Sequence, residues 1–216
     1  SDNIKWTAAL GKGVYGTPVV AGGRVYVGTN NEQPRDPKFK GDAGVLMCFR
    51  ESDGQFLWQL VTPKCKHQNK YNGDDAKLGI MSAPVVDGDR VYVVTNRCAV
   101  VCLDAAGMAN GNDGLTDEGQ LLARPSVEKI WEDPNKGMMI ERQPGTPFVP
   151  GPTDADVIWR YDMMVDLPVW VQDGSNCNIL MIGDYLYVNP SNGVDRTHKH
   201  LPTPNAPSLI VLDKHT

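Results

Sequence analysis

The residues best equipped for chemistry fall in three stretches of the chain. Asn110-Gly111-Asn112-Asp113-Gly114-Leu115-Thr116-Asp117-Glu118 concentrates side-chain oxygens of the kind that bind calcium, with Asn110, Asn112, Asp113 and Asp117 as candidate ligands. The EF-hand register does not fit this segment. Setting Gly114 at that loop's glycine position puts Ala109 at its first position, and setting Gly111 there puts Ala106. A calcium loop of another kind and a solvated Asn/Gly turn are both readings of it. Asp195, His198 and His200 stand in a proline-rich stretch, where two imidazoles and a carboxylate could hold a metal or serve as hydrogen-bonded loop residues. With Asn176 and Asn192 they form the candidate ligand-facing surface, against which turn capping by Asn and Asp competes at each position. Cys65 and His67 could ligate together, although no second pair stands near them in sequence.

The five cysteines, Cys48, Cys65, Cys98, Cys102 and Cys177, are spaced 17, 33, 4 and 75 residues apart. These spacings match no zinc module and no C-x-x-C-H haem site. An odd number leaves at least one thiol outside any set of disulfides. Cys98 and Cys102 share one face of a strand by period two, but at that separation a disulfide is difficult. No nucleophile–base pair and no paired-carboxylate motif is recognisable.

The elements that must position these residues come from a repeat. Pro18-Val19-Val20-Ala21-Gly22-Gly23-Arg24-Val25-Tyr26-Val27 recurs 66 residues later as Pro84-Val85-Val86-Asp87-Gly88-Asp89-Arg90-Val91-Tyr92-Val93. A weaker copy, Ile179-Leu180-Met181-Ile182-Gly183-Asp184-Tyr185-Leu186-Tyr187-Val188, keeps the glycine turn and the aromatic strand. Each copy reads as a hairpin: a short apolar strand, a two-residue turn with glycine, and an alternating strand. Two further strands are expected after the first copy, over Val45–Arg50 and Gln55–Leu60. After the second copy they are Ala99–Asp104 and Val157–Tyr161, and after the third only Ser208–Thr216 is expected. Four short antiparallel strands per repeat is the arrangement of a propeller blade. The expected fold is all-β, one partial propeller over 1–216. Its blades span about 7–60, 80–161 with a long insert at 105–156, and an incomplete 177–216.

Composition sets the outer limits. Apolar residues at 41% with 22% charged describe a globular chain, and 22 glycines with 16 prolines make it rich in turns. A formal charge of −5 without a basic stripe argues against a nucleic-acid partner. No apolar run approaches the roughly 18 residues of a membrane helix. Ser1-Asp2-Asn3-Ile4-Lys5-Trp6 does not read as a signal peptide, so any targeting segment is expected to have been removed or never to have been part of this sequence.

The stretch Cys48 to Trp58 resembles the tryptophan docking motif of PQQ-type β-propellers, A-x-D-x-x-T-G-x-x-x-W. Cys48 stands at the small-residue position, Gly54 at the glycine and Trp58 at the tryptophan, while Arg50 and Asp53 depart from the motif. Cys102-Leu103-Asp104 and Val211-Leu212-Asp213 keep its first half. The chain thus resembles the quinoprotein-dehydrogenase-like and outer-membrane-assembly-lipoprotein-like propellers, and most of all the PQQ-like repeat proteins of planctomycete-type bacteria. That resemblance implies that Trp6, Trp58 and Trp159 dock onto the neighbouring blade, a seam that large rigid aromatics suit. It also implies an exported protein of the periplasm or cell surface. The chain is expected to run from an outer strand carrying Trp6 to a third strand at Thr216. Its partners are then further propeller blades of the same or another chain. Tyr26, Tyr92 and Tyr187 are assigned to blade packing, and Cys48 and Cys102 to the same small slot of two blades.

Insertions on such a scaffold carry specificity. Residues 31–44 and 189–207 occupy the same position between second and third strands, and 62–79 joins the first two blades. Fold alone does not settle function. The expected function is that of a non-catalytic scaffold that binds a protein or other partner through these loops. The alternative is part of a quinoprotein dehydrogenase holding PQQ and calcium. Such enzymes show a vicinal Cys-Cys pair under the cofactor, and no Cys-Cys dipeptide occurs here.

Overall fold

In the computed structural model, described for residues 2–64, 77–122, 128–135, 137–142, 147–167, 169–172, 174–195 and 197–215, the repeats become sheets. Cys65 and His67 lie outside the described residues. Strands β1 (Val19–Ala21), β2 (Arg24–Asn30), β3 (Ala43–Arg50) and β4 (Phe56–Pro63) form an antiparallel sheet in the order β1-β2-β3-β4. The second repeat gives β5 (Val85–Asp87), β6 (Arg90–Val94) and β7 (Ala99–Asp104). A 3-10 turn (Gly107–Ala109), helix α1 (Glu118–Leu121) and the hairpin β8 (Glu128–Asp133) with β9 (Gly137–Arg142) intervene before β10 (Val157–Asp162). The sheet order is β10-β7-β6-β5, the same four-strand meander as the first. Helix α2 (Met163–Asp166) follows directly, its first turn capped by the Asp162 carboxylate accepting from the backbone N–H groups of Met164 and Val165. The third sheet holds β11 (Ile179–Ile182), β12 (Tyr185–Val188) and β13 (Ile210–Asp213) in that order.

The hairpin leading each repeat follows from its glycine. Gly22, Gly88 and Gly183 each take positive φ, between +56° and +59°, at the first turn residue, which the two-residue hairpin connection demands. The strands then alternate, and each sheet sends its two faces to two different cores. Val27, Val45, Met47, Phe49 and Val61 of the first sheet pack with Ala8 and Leu10. Its opposite face (Tyr26, Leu46, Cys48, Trp58 and Leu60) meets Val91, Val93, Val101 and Leu103 of the second sheet. The far side of the second sheet, with Tyr92, Val94, Val100 and Cys102, meets Ile179, Leu186 and Val188 of the third, with Ile210 and Leu212 against them. Stacked sheets that each bury both faces against neighbours make a propeller segment.

The third sheet breaks this pattern on its far side. Register places Leu180 opposite Tyr187, Ile182 opposite Tyr185, and Tyr187 opposite Val211. Leu180, Ile182, Tyr185 and Val211 are each 50% exposed or more. Tyr187 is the repeat equivalent of Tyr26 and Tyr92, which are buried in the two seams, yet it is only half-buried. The fold is all-β with three antiparallel blades, the third of them open, as in part of a larger ring.

Two elements differ from the sequence reading. The long insert at 105–156 contains a hairpin of its own, β8–β9, where a proline-rich connection was expected. Trp6 lies in a segment without strand pairing rather than on an outer strand, because no neighbouring strand supplies it with ladder partners.

Candidate functional site

The same contact recurs at three places around the stack. Trp6 donates its indole N–H to the Glu51 carbonyl at 2.9 Å, in the turn after β3. Trp58 of β4 donates to the Ala105 carbonyl at 2.9 Å, just after β7. Trp159 of β10 donates to the Lys214 carbonyl at 3.0 Å, just after β13. In each case the indole reaches the turn that follows the third strand of the next sheet. The rings also need space beneath them. A Cβ on Gly54 would stand 2.6 Å from the Trp6 ring, and one on Gly107 would stand 2.7 Å from the Trp58 ring. Both glycines have positive φ, +74° and +61°, so a side chain there is strained as well as blocked. Gly54 falls where the motif spacing puts it. Gly107 does not, because it lies five residues after Cys102 while Gly54 lies six after Cys48, and only the structure reveals the pairing.

Tyr26 and Tyr92 stand beside these tryptophans in the same manner. The Tyr26–Trp58 and Tyr92–Trp159 ring centroids are both 6.0 Å apart. Cys48 and Cys102 complete the seams, and burial pushes both thiols up to about 12.

Of the candidate ligand-facing residues, Asn192 and Asp195 brace the loop that carries His198 and His200. Asn192 pairs with Val171 in a single bridge and accepts from the Trp170 backbone N–H at 2.9 Å. Its amide donates to the Thr203 carbonyl at 2.9 Å and accepts from the Thr203 hydroxyl at 2.5 Å. Asp195 is buried. Its carboxylate accepts from the Thr197 hydroxyl at 2.6 Å and the Thr197 N–H at 3.0 Å. These bonds, the hydroxyl first, hold it below the ordinary carboxylate range. Its backbone closes the loop through Asp195 N–H to His200 C=O at 2.8 Å and His198 N–H to Asp195 C=O at 2.9 Å. His198, with φ +57°, and His200 project into solvent, and the His198 ring reaches the Gln172 amide at 3.1 Å. Asn176 is exposed on the approach to β11. Among the described residues, Asp195, His198 and His200 form no three-ligand cluster. The 31–42 insertion is braced similarly, by the Asn31 amide donating to the Phe39 and Gly41 carbonyls at 2.8 and 3.1 Å.

The Asn110–Glu118 candidates part company. Asp117 is exposed at the surface, and Asn110 approaches the Asp104 carboxylate at 3.5 Å. Asn112 donates to Glu118 at 3.0 Å, and Asp113 turns toward Asp104 and Asp156. The last two carboxylates were invisible to a local sequence reading, since Asp156 lies 52 residues beyond Asp104 and only the β7–β10 pairing brings them together.

Residues 1–106 match the protein family described as "Outer membrane protein assembly factor BamB". No curated protein matches the chain. Among the solved structures that match is BamB from Moraxella catarrhalis, at 14% identity and a TM-score of 0.29, over 83% of this chain and 42% of that one. The chain therefore spans less than half the length of that protein. Among the described residues, no helix is long and apolar enough to cross a membrane. Residues 1–106 thus match this repeat family, and the three stacked blades are those of a PQQ-like β-propeller repeat protein.

Proposed function

We propose that the chain is part of a non-catalytic propeller that binds a protein partner through its loop insertions, as an assembly-type scaffold exported to the periplasm or cell surface. The observation that carries this reading is the braced 189–207 insertion. Half-buried Asn192 is tied to Trp170 and Thr203 and buried Asp195 to Thr197, while Thr197–His200 is exposed on the loop they brace. A loop ordered before binding loses little conformational entropy on association, which favours recognition over turnover. The remaining blades, from the same or another chain, close on the open face of β11–β13, where Leu180, Tyr185 and Val211 are exposed. The family description, an outer membrane protein assembly factor, agrees with a role in holding other proteins.

The test compares the wild-type chain with His198→Ala/His200→Ala as baits in an envelope extract, followed by direct titration of each captured, identified protein. A partner that binds the wild type and binds the variant at least about tenfold more weakly, roughly 1.4 kcal/mol, supports the reading. Equal affinities for every partner overturn it. So does saturable, calcium-dependent quenching of tryptophan fluorescence by PQQ, which would favour the dehydrogenase alternative.

A further inference from the structure

We infer that the end of the second blade holds a divalent cation, calcium by the chemistry of its donors, between Asp104, Asp113 and Asp156, with the buried carboxylate of Glu118 as a neighbouring charge. Asp104 closes β7, Asp156 immediately precedes β10, Asp113 lies in the long insert between the 3-10 turn and α1, and Glu118 opens α1. One carboxylate oxygen from each of Asp104, Asp113 and Asp156 lies within 4.8 Å of the others. Glu118 lies outside this set, oriented by the Asn112 amide at 3.0 Å, and adds its negative charge to the surroundings of Asp156.

Acidic clusters at a surface need no ion, but this one is largely inside. Asp156 and Glu118 are 0% and 1% exposed, and each has a carboxylate oxygen, Asp156 Oδ1 and Glu118 Oε1, with no hydrogen-bond donor. A buried polar atom in that state costs free energy that a bound cation would recover. Positive charge is also scarce. Arg90 pairs with Asp104 at 3.0 Å, and among the described residues no Lys or Arg forms an ion pair with Asp113, Asp156 or Glu118. Burial, and then the charges of Glu118, Asp104 and Asp113, push the Asp156 carboxyl above the ordinary range, against the pull of the Asp113 backbone N–H.

The donors select the ion. All are oxygens, without the imidazole or thiolate that marks a zinc site. Calcium accepts an irregular shell of carboxylates, amide or backbone carbonyls and waters, whereas magnesium demands strict octahedral geometry and keeps its own waters. Exposed Asp113 leaves an entry path from solvent. The ion would pin the root of the 105–156 insert to the second blade. The seam lies alongside, since Trp58 bonds the Ala105 carbonyl and covers Gly107.

The experiment is calorimetric titration of CaCl2 into the chelator-treated 216-residue chain, with thermal melts in calcium and in EDTA. One bound equivalent and a melting temperature several degrees higher in calcium are expected. Asp113→Asn, a surface change that leaves the fold intact, should weaken binding at least about tenfold. Asp156→Asn should abolish the calcium response while raising the stability of the ion-free protein, because it removes a buried charge. Asp117→Asn should change nothing. The assignment is overturned by a folded chain that takes up no calcium at millimolar concentration, by affinities that Asp113→Asn and Asp156→Asn leave unchanged, or by magnesium binding as tightly as calcium.

Discussion

Trp58→Ala should cost about 3–5 kcal/mol of stability, the range for truncating a large buried aromatic. For a chain of this length that corresponds to a fall in melting temperature of roughly 6–20 °C. The residue is buried, it fills the seam between the first two blades, and its N–H satisfies the Ala105 carbonyl at 2.9 Å. Truncation removes the packing and leaves a cavity, because the sheets on either side are held by their own ladders and cannot collapse inward. Trp58→Phe separates the two contributions. It keeps most of the apolar volume and loses the hydrogen bond, for a smaller cost on the order of 1–2 kcal/mol. Gly107→Ala approaches the same seam from the other side, since the new methyl would stand 2.7 Å from the indole at a φ of +61°. Differential scanning calorimetry on the three variants checks the order: Trp58→Ala lowest, then Gly107→Ala, then Trp58→Phe. An unchanged melting temperature for Trp58→Ala would mean that the indole does not join the two blades.

The second large effect is a contrast between two equivalent tyrosines. Tyr92 is buried between the second and third blades, 6.0 Å from Trp159 between centroids, and its hydroxyl reaches the Lys214 carbonyl at 3.4 Å. Tyr92→Ala should therefore destabilise by roughly 3 kcal/mol. Tyr187 occupies the same place in the third repeat but has no blade over it, so Tyr187→Ala in the same chain should cost about 1 kcal/mol or less. Urea unfolding of both variants, at matched m-value, measures the difference. Equal costs would show that the outer face of the third sheet is already covered.

The repeat is legible in the sequence because its physics is local. A glycine must lead each two-residue hairpin turn, and the strands that follow alternate, so Pro-Val-Val-x-Gly-x-Arg-Val-Tyr-Val announces strand, turn and strand wherever it stands. Trp58 and Trp159 are readable for the same reason, as large aromatics at the end of an alternating run. Long-range relations are not readable. Gly107 serves the Trp58 ring across a sheet boundary with a spacing one residue shorter than that of Gly54, and no local pattern carries that offset. Asp104 and Asp156 meet only through the β7–β10 ladder, so of the three clustered aspartates sequence singled out Asp113 alone, together with exposed Asp117 outside the cluster. Asn192 and Asp195 stood out for their chemistry, yet they brace a loop, as the short side chains of Asn and Asp commonly do. The hairpin β8–β9 was hidden because the prolines around it dominate the composition of the insert.

The central claim is that the outer face of β11–β13 is a blade-docking surface of an open propeller. Binding of the apolar dye ANS to the folded 216-residue chain tests it most directly, with Tyr187→Glu/Val211→Lys as the comparison. The account predicts clear ANS fluorescence from the wild type, its loss in the charged variant, and melting temperatures that agree within a few degrees. Wild-type fluorescence no stronger than that of a closed globular control, or a charged variant that unfolds, would contradict it, because either result means the face is already buried.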